Sequence, residues 1–350
     1  GASCSADAAA VQDAVWMLYK VTRSSEAARA WILEASGLDV LRAALVENPG
    51  QRELLREGAW LAYALDGLRG FAGLLRRCAG DSPGDAAVRG AVVCSVYDLV
   101  QGDVTEGTGC ESRPRAAMML ALLVEALSPE GGLEPDACGA CCSGLEALVR
   151  QDSRLCSLLL DRQGARLVVG AMSFAGRLGA EGEKCREAVA GLLAQLAEAS
   201  PRAVAELRAA GAVGVLVQDG LVGNGRDSEA AMWALGHLGG MSAVLEVMAR
   251  EPAKPAVLRG GVLAICDCAW RAPADSEELA RTPAALRLLL QLHGRHEECL
   301  GPGRLREYVK TLGSVVACLA PHAPPGQVQD VDRGVEALLA CLSSGADAAW

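Results

Sequence analysis

Apolar residues recur along this 350-residue chain three and four positions apart, in short runs broken by glycine and proline. These faces predict helices at about 8–21, 26–34, 38–46, 52–65, 68–78, 86–101, 115–127, 136–150, 152–161, 164–174, 184–198, 202–209, 212–221, 228–239, 241–250, 256–271, 276–281, 284–293, 303–320 and 328–343. Turn signals fall between them: "ENPG" at 47–50, "DSPGD" at 81–85 and "ASPR" at 199–202. Ser200 followed by Pro201 reads as an N-cap and first helical residue. Gly37, Gly164 and Gly211 each precede a new apolar run. They are expected to end one helix in the left-handed conformation and let the next start at a steep angle.

The helices repeat. "REAVAGLLAQLAEASP" at 186–201 and "SEAAMWALGHLGG" at 228–240 share an E-A-x-x-x-L-x-x-L frame, with Glu187 and Glu229 lying 42 residues apart. "VRGAVVCSVYD" at 88–98 matches "LRGGVLAICDC" at 258–268 at a separation of 170, about four such periods. A unit of two or three short helices cannot bury its apolar face alone, so neighbouring copies must stack and share an elongated core. The expected fold is all-α: a right-handed α-solenoid forming one continuous domain over 1–350, with irregular loops near 101–115, 218–228 and 321–327.

Composition narrows this further. Half of the residues are apolar, but aromatics make up only 3% and isoleucine occurs only at Ile32 and Ile265, so sheet-forming side chains are scarce. A formal charge of −10 argues against a nucleic-acid partner, which needs a basic footprint. The apolar run "AAMMLALLVEAL" at 116–127 is too short for a membrane span and carries Glu125. Fourteen cysteines in a chain with apolar surface to spare read as reduced small hydrophobes. That points to an intracellular reducing compartment, read as the cytoplasm; an organelle or cilium stays open because the N-terminus reads as trimmed.

The frame "EAAMWALGHLGG", the upstream "LRAAGAVGVLVQDGL" and the N-terminal "AVQDAVWMLYKV" followed by "ILEASGLDVLRAAL" resemble armadillo repeats. In that family two apolar helices cross and a longer third helix faces a concave groove; HEAT repeats are the near relative. The resemblance is clear over about 184–271, fair over 8–80, and blurred over 101–160 and beyond 275. It implies about seven to eight repeats and a non-catalytic scaffold that binds a partner along its concave face.

Trp233 and His237 lie four apart, on one face of a helix that the resemblance assigns to the groove. Importin-α-like proteins pair tryptophan with asparagine at this spacing, repeatedly, to clamp a basic peptide. Here His237 stands in the asparagine's place and the pair does not recur, which disfavours a nuclear-signal receptor. Trp16, Trp60, Tyr97, Trp233 and Trp270 all fall on third-helix candidates and, with His237, form the expected partner-binding set. The bland account of each ring is that it fills space between repeats. "CGACC" at 138–142 and "CDC" at 266–268 have metal-like spacing but sit on apolar helices without nearby histidine, so no metal is expected. Asp98 and Asp267, on the two matched helices, are candidate acceptors for basic groups.

No phosphate loop, nucleophile elbow or metalloprotease motif is present, so neither an enzyme nor a cofactor is expected. The expected function is a protein–protein interaction scaffold holding a protein or extended, basic peptide, as one subunit of a larger assembly. The alternative is an Hsp70 nucleotide-exchange regulator of the armadillo type.

Overall fold

Alanine, leucine, arginine and glutamate lose little side-chain freedom in helices, and in the computed structural model helices account for nearly all of the regular structure. The structure describes residues 2–78, 80, 82–105, 113–127, 132–223, 225–271, 276–293, 305–323 and 325–344, and no strand occurs among them. The chain divides into two units, Gly1–Ala171 and Met172–Trp350.

The first unit contains α1 (Ala2–Ser24), α2 (Glu26–Glu34), α3 (Gly37–Val46), α4 (Arg52–Arg77), α5 (Pro83–Thr105), α6 (Arg113–Ala126), α7 (Pro135–Gln151) and α8 (Arg154–Asp161). The boundary between units falls inside α9 (Gly164–Arg177). Within this unit α1 packs on α4, α4 on α5, and α5 on α7. Leu45, Leu54, Leu74, Leu123 and Leu145 are fully buried in this unit.

The second unit continues with α10 (Glu183–Ala199), α11 (Pro201–Ala209), α12 (Ala212–Val215), α13 (Arg226–Arg250), α14 (Pro255–Arg271), α15 (Ser276–Leu292), α16 (Leu305–Leu319) and α17 (Val328–Ser344). Here α10 packs on α13, α13 on α14, α14 on α16, and α16 on α17. The two segments with the shared E-A-x-x-x-L-x-x-L frame are thus neighbours in space. Ser200 caps α11 as expected, its hydroxyl accepting from the Arg202 amide at 3.2 Å with Pro201 at the first turn.

Two of the expected helix breaks are kinks. Gly67, at φ 56°, separates the arms of α4, and Gly240, at φ 70°, separates those of α13. A third expected break is absent: α15 runs through Pro283 as one helix. A proline inside a helix removes one backbone hydrogen bond, while α15 packs on α13, α14, α16 and α17. The expected loops also contract. Helix α5 extends to Thr105 and α6 starts at Arg113, leaving 106–112 outside the described residues. A π-turn over Leu216–Gly220 and the start of α13 at Arg226 shorten the second loop, while turns occupy much of 321–327, with 324 outside the described residues.

The glycine expectation needs a correction. Gly211 is left-handed, at φ 87°, but at the other two junctions the left-handed residues are Ser36 (φ 58°) and Gln163 (φ 60°). Gly37 and Gly164 follow as the first helical residues. A Cβ on either would come within 2.6 Å of the Ile32 or Leu159 carbonyl oxygen. These glycines are needed for close approach rather than for their φ.

One joint occurs once in each unit. Arg89 on α5 donates to the carbonyls of Cys78 and Gly80, just past the end of α4. Arg186 on α10 donates to the carbonyls of Ala175 and Gly179, at the end of α9. Both arginines are buried and reach back 11 residues, satisfying carbonyls that a helix end leaves without partners.

Candidate functional site

Alpha-helical spacing puts Trp233 and His237 on one face of α13, and their rings meet edge to face, with centroids 5.1 Å apart and planes at 81°. Trp233 is half-buried, and the His237 side chain is only 8% exposed. Helix α14 lies alongside and brings up Asp267, whose Oδ2 is 3.4 Å from His237 Nε2. Both atoms are shielded from water, yet neither has a hydrogen-bond partner. Arg271, one turn further along α14, comes within 3.4 Å of the same Asp267 oxygen and donates to the Gly236 carbonyl at 3.1 Å.

Burial pushes the His237 imidazole below its ordinary value of 6.5; Asp267 opposes the shift, Arg271 reinforces it, and Glu198 on α10 opposes it. The ring is therefore neutral at pH 7. Because the folded-state value is depressed, protonation favours the unfolded chain. The stability contributed by neutral His237 is complete above the ordinary value and lost as pH falls from there through the folded-state value. The His237 ring resonances are expected to titrate with a midpoint below 6.5 in an NMR pH series; a midpoint above that would reverse the sign.

Trp270 projects from α14 with 74% of its surface in water. Sequence reasoning included Trp233, His237 and Trp270 but did not foresee that Asp267 would approach the histidine. The acid is a candidate in the sequence, but its partner lies 30 residues away on another helix. Asp98 is exposed on α5.

In the first unit Trp16 and Trp60, expected separately, come together. With Tyr19, Glu53, Arg56 and Glu57 they line a cavity of about 580 Å3 where α1 packs on α4. Trp60 is braced from behind by Tyr63 at 5.7 Å and by Phe71 at 6.3 Å, the latter from beyond the Gly67 kink. Trp16 is 42% exposed, and the Lys20 ammonium sits 3.3 Å from its ring centre. Tyr97 is half-buried, and its ring edge lies over Gly144 of α7, where an added Cβ would meet it at 3.7 Å. Trp31 on the short α2 is 69% exposed. Its helix is short and is not one of the third-helix candidates, so the sequence pattern does not single it out.

The cysteine cluster at 138–142 is interior, whereas in the 266–268 pair Cys268 is buried and Cys266 half-buried. Cys138, Cys141 and Cys142 are buried thiols on α7; Cys141 donates to the Leu123 carbonyl, and burial pushes its thiol well above the usual range. Among the described residues no three His, Cys, Asp or Glu side chains converge as a metal site, and no helix is long and apolar enough to cross a membrane.

No protein-family model and no curated protein sequence matches this chain. Among solved structures, the crystal structure of an engineered protein from the Northeast Structural Genomics Consortium is similar at a TM-score of 0.33 and 14% identity, over 94% of this chain and 95% of that one. A likeness that loose carries no argument about fold or function.

Proposed function

We propose that the chain is a non-catalytic docking protein, built as a right-handed armadillo- or HEAT-like solenoid of about seven to eight repeats. It holds a partner protein or extended peptide on the face formed by α13 and α14, as one subunit of a larger assembly in a reducing compartment. The observation that carries this reading is Trp270: a large flat ring, 74% in water, on the helix that packs against the one bearing Trp233 and His237. Burying such a ring on association yields more than burying any other side chain type, which is why tryptophan dominates interface anchors. Further support comes from the order of packing in the second unit, where each of α10, α13, α14 and α16 contacts the next as stacked third helices would. The net charge of −10 favours a basic partner by speeding encounter.

Trp270→Ala is expected to weaken capture of the native partner by about tenfold or more, with helical content and melting temperature unchanged because the ring packs against little. Trp233→Ala is expected to weaken capture as well. Affinity purification from the native source followed by binding measurements on these variants is the check. Capture that is indifferent to both rings would overturn the assignment of this face.

A further inference from the structure

The cavity between α1 and α4 is not a plain apolar pocket: its lining holds three aromatic rings, Trp16, Tyr19 and Trp60, and two carboxylates, Glu53 and Glu57. We propose that it receives an arginine side chain of the docked partner. This inference deepens the docking function proposed above and rests on it.

Aromatic faces carry negative charge density and attract cations, most strongly in tryptophan. The Trp16 face already takes one, the Lys20 ammonium of the same chain at 3.3 Å. The charge of the lining also favours a cation: Glu53 and Glu57 bring two carboxylates against the one guanidinium of Arg56. A trimethylated ammonium has no N–H to donate to either carboxylate. A lysine ammonium has donors but is a compact, strongly hydrated point charge, whereas a guanidinium is flat, weakly hydrated and forked. It can stack on an indole while donating to a carboxylate. At about 580 Å3 the cavity is of the size that holds whole small ligands, leaving room for the peptide bonds on either side of the arginine.

The test uses the full chain with 15N-labelled tryptophan and three capped pentapeptides: Gly-Gly-Arg-Gly-Gly and its lysine and trimethyllysine counterparts. The arginine peptide is expected to shift the indole N–H signals of Trp16 and Trp60 saturably while leaving that of Trp270 in place. It should bind at least about fivefold more tightly than the lysine peptide, and the trimethyllysine peptide should not saturate. Glu57→Gln keeps the side chain's shape and is expected to weaken arginine binding by about tenfold. Trp16→Ala, at a ring already 42% exposed and therefore no threat to folding, should abolish the saturable shift. Absence of saturation with the arginine peptide, equal or tighter binding of trimethyllysine, or indifference to Glu57→Gln would each overturn the proposal. If the peptide fails while Trp270→Ala still weakens partner capture, docking survives and this pocket falls. If the peptide binds but capture ignores Trp233 and Trp270, the α13–α14 face falls instead.

Discussion

Replacing Asp227 with alanine is expected to cost the protein about 3–5 kcal/mol of folding stability, because it leaves a buried guanidinium uncompensated. The Arg186 and Asp227 side chains are 1% and 0% exposed, and the Asp227 Oδ2 accepts from Arg186 Nε at 2.8 Å with the second guanidinium nitrogen at 2.7 Å. The rest of that guanidinium is committed to the Ala175 and Gly179 carbonyls, so without Asp227 it has no route to water. Urea denaturation followed by circular dichroism reads the loss. The paired replacement Arg186→Met with Asp227→Leu is expected to recover most of it, since two apolar side chains of similar volume remove the charge and its counter-charge together. A loss below about 1 kcal/mol for Asp227→Ala, in the range of a surface pair, would show that the charge is not sealed off.

A comparable loss, about 3–5 kcal/mol, is expected for Phe71→Ala. Phe71 is fully buried on the second arm of α4 and touches both Trp60 and Tyr63 on the first arm, with ring centroids 6.3 and 5.2 Å away. Removing its ring opens a void inside the elbow at Gly67 and takes away the wall behind Trp60. The two arms meet through these rings, so the surrounding backbone cannot close the void without changing the kink. Thermal unfolding monitored by tryptophan fluorescence should show a lower midpoint and, in the folded state, a red-shifted Trp60 signal. An unchanged midpoint would mean that the elbow collapses freely around the missing ring.

The helices were legible because their signals are local. Expected limits of 26–34 and 38–46 meet α2 at Glu26–Glu34 and α3 at Gly37–Val46, and the breaks near Gly67 and Gly240 were readable from glycine interrupting an apolar period. What escaped depends on partners distant in sequence. Arg186 reads as one more solvated charge until α13 packs on α10 and brings Asp227 to it from 41 residues away, close to the 42 residues that separate Glu187 from Glu229. Ser36 and Gln163 gave no hint of their left-handed backbone, because the adjacent glycines looked sufficient; only the nearness of the Ile32 and Leu159 carbonyls shows why those glycines are needed. Trp16 and Trp60 were each visible as rings, but their shared cavity requires α1 to skip two short helices and pack on α4.

The charges that join Arg186 to Asp227 lie beyond the reach of dissolved ions, whereas charges at an open surface are screened within about 10 Å at 0.1 M salt. Electrolyte therefore acts unequally on this molecule. Salt strong enough to release the basic partner proposed above is expected to leave this internal clasp intact, so that elution and denaturation would be separable operations.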